Sequence, residues 1–179
     1  MESAGNVSVV DRGRADARGA GKAMLFAAVL LGVLVLDFGT KALIQQHFML
    51  YQQTDVIGEY VRLTFIYNPG AAFGIHLGEH SRSIFLVLSI MALGALVAMY
   101  WFTPLIDRLR LIAIALICGG AIGNLIDRVR SDSGVVDFID VGVGNIRWPV
   151  FNVADMAVTA GAIILALSLW KEEKGVERR

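Results

Sequence analysis

Phe151-Asn152-Val153-Ala154-Asp155, continued without a break by the apolar run 156-MAVTAGAIILALSLW-170, decides how the rest of the chain is read. Asp155 stands at the water edge of a predicted membrane helix, where an unpaired charge is expensive. A second carboxylate, Asp137, lies 18 residues earlier in the strand-like segment Val135-Val136-Asp137-Phe138-Ile139-Asp140-Val141. The turn Gly142-Val143-Gly144-Asn145 between the two segments folds the chain back, so the two acids are expected to meet. Two carboxylates at a membrane surface point to acid/base chemistry.

Composition supports a membrane setting. Of 179 residues, 56% are hydrophobic and only 18% charged, and the mean hydropathy is +0.62. That is too apolar for an ordinary soluble domain. Sixteen basic and sixteen acidic residues cancel, so bulk charge suggests neither nucleic acid nor an acidic substrate. The single cysteine, Cys118, excludes an internal disulfide and a multi-thiolate metal site. It is expected as inert packing.

The apolar pattern predicts four spans at about 23–44, 84–102, 111–126 and 153–170, each close to the ~20 residues that a bilayer core requires. Residues 1–22 carry Arg12, Arg14, Arg18 and Lys22 without apolar periodicity and are expected as a disordered basic tail. With the first apolar run this tail imitates a secretory signal peptide. No small-x-small cleavage site follows it, and Asp37 and Lys41 interrupt, so a retained helix is expected. Ten basic residues fall before span 1, between spans 2 and 3, and after span 4; five (Arg62, Arg82, Arg128, Arg130, Arg147) fall on the other side. The positive-inside bias therefore predicts cytoplasmic termini, with 171–179 as a second tail, and places 45–83 and 127–152 outside. One membrane-embedded domain, 23–170, is expected. In its outer segments Val61, Leu63, Phe65 and Tyr67 alternate with Arg62, Thr64 and Ile66, the period of a half-buried strand. Together with 135–141 and Ile146-Arg147-Trp148 they predict a small sheet on the outer surface. The fold class is thus an all-α membrane protein with a small β element.

The polar residues of these segments admit structural and functional readings. Asp37 and Lys41, four apart on one helix face, suit a structural ion pair. Asn68-Pro69-Gly70-Ala71-Ala72-Phe73-Gly74 forces a turn, and Asn68 has the groups to bond an extended peptide backbone. Gly119 and Gly123 have small-xxx-small spacing for close helix contact. Asn124, Asp127 and Arg128 share a face at the outer end of span 3. They either satisfy one another or orient a carboxylate or lipid headgroup. Asn152 and Asp155 share a face at the start of span 4. If Asp137 approaches Asp155, the two hold one proton near neutrality. Asp140 is a decoy on the opposite strand face if the strand is regular. His47, His76 and His80 lack ligand spacing, so no metal is expected.

Five blocks, Asp37-Phe38-Gly39-Thr40-Lys41, 68–74, 119–128, Val136-Asp137-Phe138 and Phe151-Asn152-Val153-Ala154-Asp155, occur in an order that resembles the lipoprotein signal peptidase family, signal peptidase II. The resemblance covers about 23–170. It implies a membrane aspartic peptidase of the bacterial inner membrane whose four helices carry an extracytoplasmic sheet that cradles the substrate. It implies that Asp137 and Asp155 are the catalytic pair, lined by Asn68, Gly120, Asn124, Arg128 and Asn152. It also implies that a prolipoprotein is cut before its diacylglyceryl-modified cysteine, with membrane lipid as surroundings, no cofactor, and a monomer as the working unit. Phe38 and Met156 depart from the family's common Gln and Ser. The rival from residues alone is a small transporter or proton relay using the same acids. This chain shows no repeated halves with broken helices.

Overall fold

The computed structural model describes residues 3–69, 71–72, 75–76 and 80–177, with side chains over 19–69, 80 and 83–172. Four helices, α1 (Ser3–His47), α2 (Ser81–Phe102), α3 (Arg108–Arg130) and α4 (Val153–Glu177), are joined outside the bundle by strands β1 (Gln53–Ile57), β2 (Val61–Asn68), β3 (Ala71–Ala72), β4 (Ile75–His76), β5 (Val135–Val143) and β6 (Ile146–Arg147). Each helix holds a stretch long and apolar enough to cross a membrane: Gly19–His47, Ser83–Phe102, Arg108–Arg130 and Val153–Glu172. These cover the four predicted spans with ends shifted by a few residues.

Local chemistry sets the ends. Pro104 disfavours helical backbone at the residue before it, and α2 stops there. Thr103 closes it by donating its backbone N–H to Met99 and Tyr100 oxygens and its hydroxyl to Met99 O at 2.8 Å. Asp107 caps α3 by accepting from Arg110 N at 3.1 Å. The expected disorder of the tail is corrected over 3–22, which α1 includes from Ser3 onward. Ala and Arg are good helix formers, and the apolar helix downstream supplies the nucleus that an isolated tail lacks. At the other terminus α4 runs on to Glu177, so the expected tail is helical to that point.

α3 is central: half of its apolar stretch is buried, against 17% or less in the other three helices. Leu96 of α2 packs with Ile114 and Cys118 of α3, and Phe26 and Leu30 of α1 close over them. Exposed apolar side chains such as Leu31, Val35, Leu36, Val87, Met91 and Ile163 point away from the bundle, as lipid-facing residues do.

The main sheet is antiparallel with order β1-β2-β5-β6, and β3 pairs with β4. The predicted strands 61–67, 135–141 and 146–148 are present; β1, β3 and β4 lacked a period-2 signal. Phe65, Val136 and Phe138 pack on Ile44 of α1, seating the sheet on the end of the bundle where α1 finishes. Gly70, Phe73 and Gly74 of the predicted turn lie outside the described residues. His47 and His80 are exposed, and the side chain of His76 lies outside the described set.

Candidate active site

The site begins with the way α4 starts. Asn152 is the residue before the helix: its Oδ1 accepts from Asp155 N at 2.9 Å, and Asp155 Oδ2 accepts from Asn152 N at 3.2 Å. This reciprocal cap satisfies donors that a helix start leaves open. It also holds the Asp155 carboxylate at the positive end of the helix dipole. The next open donor, Ala154 N, reaches Asp37 Oδ1 of α1 at 3.1 Å.

Asp137 arrives from the sheet. It is 1% exposed, and its two oxygens accept from Asn152 Nδ2 at 2.7 Å and Asn68 Nδ2 at 2.9 Å. Asn152 therefore touches both acids, Asp137 through its amide and Asp155 through the cap. Burial first, and then the negative charge of Asp155, push the Asp137 carboxyl up to about 7 against the pull of the two amides and Lys41. A carboxyl in that range gains or loses a proton near neutrality.

β2 carries an extra residue opposite this part of β5: Leu63 pairs with Ile139 and Ile66 with Asp137, three steps against two. Asp140, three residues along β5, is also buried. It is held by Thr64 Oγ1 at 3.0 Å and by the Arg147 guanidinium, which also bonds the carbonyl oxygens of Asp140 and Glu59. That network stitches β2, β5 and β6 together.

Behind the acids sits Lys41, 3% exposed. Its three ammonium protons have three oxygens in reach: Asp37 Oδ2 at 2.7 Å, Asp127 Oδ2 at 2.7 Å and Asn124 Oδ1 at 3.1 Å. An ammonium only donates, so Asn124 turns its oxygen to Lys41 and Asn152 and its amide nitrogen to Asp155 Oδ1, at 2.7 Å. Arg128, 8% exposed, donates to Asn124 O at 3.1 Å and stacks over Phe85 at 5.9 Å. Its charge acts on Asp155, Asp137 and Asp127. It also lines a groove of about 390 Å³ with Ser83, Leu86, Val87 and Val129.

Glycines allow this closeness. A Cβ on Gly120 would overlap Ala154 O, and one on Gly123 would stand 2.6 Å from Asp37 Oδ2. Gly119 faces Val33 of α1 in the same way.

Of the residues singled out in the sequence, Asn68, Asn124, Asn152, Asp137 and Asp155 form one hydrogen-bonded cluster. Arg128 stands beside it, and Asp37 and Lys41 lie beneath it as an ion pair. Gly120 is placed against the α4 backbone, where it sets the spacing of α3 and α4. The sequence reading missed Asp127 as a partner of Lys41. The available signal was chemical: a lysine buried in a membrane helix needs three acceptors, and Asp37 supplies one.

The family model described as Signal peptidase (SPase) II matches residues 29–171. A lipoprotein signal peptidase of Geobacter sulfurreducens is 42% identical over 152 residues, covering 84% of this chain and 94% of that protein. One from Moorella thermoacetica is 40% identical over 146 residues, covering 82% and 93%. A solved bacterial membrane enzyme superposes with a TM-score of 0.75 at 32% identity, covering 84% of this chain and 90% of its own. With four membrane-crossing helices, a small antiparallel sheet and a family match across nearly all of both, the chain belongs to the signal peptidase II family of bacterial multi-pass membrane peptidases.

Proposed function

We propose that this protein is an aspartic endopeptidase that removes the signal peptide of diacylglyceryl-modified prolipoproteins, cutting before the lipidated cysteine. The observation that carries the reading is the sharing of Asn152 by Asp137 and Asp155. A neutral donor that binds two acids holds them in one place without taking their charge. Asp155, at the N-terminus of α4 and bonded by Asn124 and Asn152 N, is placed to accept a proton from the attacking water. Asp137, with its carboxyl near 7, is suited to hold the proton and polarise the scissile carbonyl. The roles reverse as the tetrahedral intermediate collapses: Asp155 gives the proton it took from water to the departing amine as the C–N bond breaks, and Asp137, having lent its proton to the carbonyl oxygen, takes one back from the diol as the carbonyl re-forms. Arg128 and Asn68 flank the acids, where they would steady the peptide backbone. The proposed topology has both termini cytoplasmic and this cluster at the outer face, in a monomer.

Substrate choice follows from depth. Acids at the membrane edge act on peptide bonds held at that level, and a single acyl chain anchors only marginally, so two chains are the stable solution. The groove beside Arg128, walled by Leu86, Val87 and Val129, suits an apolar segment entering from the lipid. The test compares matched prolipopeptides, one bearing diacylglyceryl on the cysteine and one a free thiol, at equal concentration in the same micelles. Only the lipidated peptide is expected to be cut at an appreciable rate. Equal cleavage of both overturns the lipid requirement, and cleavage of neither overturns the peptidase assignment in favour of a proton relay.

A further inference from the structure

Between α1 and β1 the chain makes a tight turn whose side chains face outward. Met49 is 81% exposed, Leu50 45% and Tyr51 71%. The preceding residue, Phe48, packs instead on the cluster of Ile44, Phe65, Val136 and Phe138. The turn is built rather than loose. Met49 N donates to Gln52 Oε1 at 2.9 Å, Gln52 N to Met49 O at 2.9 Å, Tyr51 N to Phe65 O at 2.8 Å, and Phe65 N to Gln52 O at 3.1 Å.

This construction has a conformational cost. Tyr51 sits at φ +66° and is the one non-glycine residue with positive φ among the described residues. A bulky side chain rarely adopts that backbone, and glycine or asparagine would hold the same turn with less strain. Strain is retained where surrounding structure imposes it, and here it fixes three large apolar side chains facing away from the protein. In water such a cluster is a liability.

We propose that Met49, Leu50 and Tyr51 form an anchor that rests in the interface of the outer lipid leaflet and sets the depth of the sheet. The patch continues a surface that already faces lipid: α1 exposes Leu36 and Leu43, and its span ends at His47, two residues before Met49. Tyrosine suits this level, with an apolar ring toward the chains and a hydroxyl toward the headgroups. The anchor is rigidly coupled to the chemistry. Tyr51 and Gln52 bond the backbone of Phe65, Phe65 packs with Val136 and Phe138, and those two residues flank Asp137. The depth of the turn is thereby transmitted to the acid.

The test does not depend on catalysis. Full-length protein with Trp101, Trp148 and Trp170 replaced by Phe and with Tyr51→Trp is reconstituted into phosphatidylcholine vesicles containing lipids brominated at defined depths. The indole is expected to emit blue-shifted light and to lose most of its emission to bromines near the headgroup end of the acyl chain. Little loss is expected from bromines near the bilayer centre. Emission typical of a water-exposed indole, unquenched at every depth, overturns the proposal. A blue-shifted but unquenched indole also overturns it, since protein rather than lipid then covers the turn. Should the Trp variant fail to fold, the same measurement is made with Leu50→Trp, whose backbone lies outside the left-handed region.

Discussion

Asp137 combines deep burial with a carboxyl near 7, and this makes it a destabilising residue above neutrality. Its carboxyl stands at about 7 in the folded protein against an ordinary value of 3.8. The folded chain therefore keeps a proton that the unfolded chain has released, and stability falls as pH rises from about 4 to about 7. For this group alone the change amounts to about 4 kcal/mol. Thermal denaturation in detergent at pH 5 and pH 8 should show the decline in the wild type, and Asp137→Asn should flatten it. Above that window, as pH rises past about 7, the cleavage rate should fall because the proton on Asp137 is lost. A second residue-scale outcome concerns Lys41. Lys41→Met leaves Asp37 and Asp127 without their ammonium, and removing one partner of a buried pair costs about 3–5 kcal/mol. The double variant Asp37→Asn with Lys41→Met should recover part of that loss, as read from melting temperatures.

At the scale of elements, the contact of α3 with the start of α4 is where a single methyl group has most effect. Gly120→Ala should lower stability by about 1–3 kcal/mol, the usual range for overpacking, because the new Cβ meets the Ala154 carbonyl rather than a flexible side chain. Since Ala154 lies inside the Asn152–Asp155 cap, activity should fall with it, whereas Gly39→Ala, with open space around its Cβ, should leave both unchanged. Much of this architecture was legible in the sequence. Four apolar runs gave the helices and alternation at 61–67 gave β2, while Asn152 and Asp155, three apart, meet as helix cap and first-turn acid rather than on one helix face. What escaped was what depends on tertiary contact. β1 is exposed at every residue, so it has no inside and outside to alternate. The β2 bulge at Thr64 and Phe65, which fits the strand around Asp137, has no sequence signal of its own. The helix over 3–22 also went unread, because composition alone does not show that α1 continues into it.

At the scale of the molecule, the arrangement is a bundle that carries the sheet and most of the buried polar groups of the described residues at one end, around the acids. The ten-to-five distribution of basic residues predicts the orientation. A reporter fused after residue 179 or inserted within 104–109 should report the cytoplasm, and one inserted near residue 79 the outside. An outside signal from the C-terminal fusion would place the acids on the wrong face for a substrate translocated across the membrane. The central claim, that Asp137 and Asp155 act as one catalytic unit and Asp140 does not, is tested most directly by initial rates on a diacylglyceryl prolipopeptide. Purified wild type, Asp137→Asn, Asp155→Asn and Asp140→Asn are compared in lipid nanodiscs, each checked for folding by its melting curve. Loss of general acid/base catalysis is worth about 10²–10⁴-fold, so Asp137→Asn and Asp155→Asn should each fall by that much while folded, and Asp140→Asn should stay within about tenfold of wild type. An equal loss at all three positions, or substantial turnover without either Asp137 or Asp155, would contradict it.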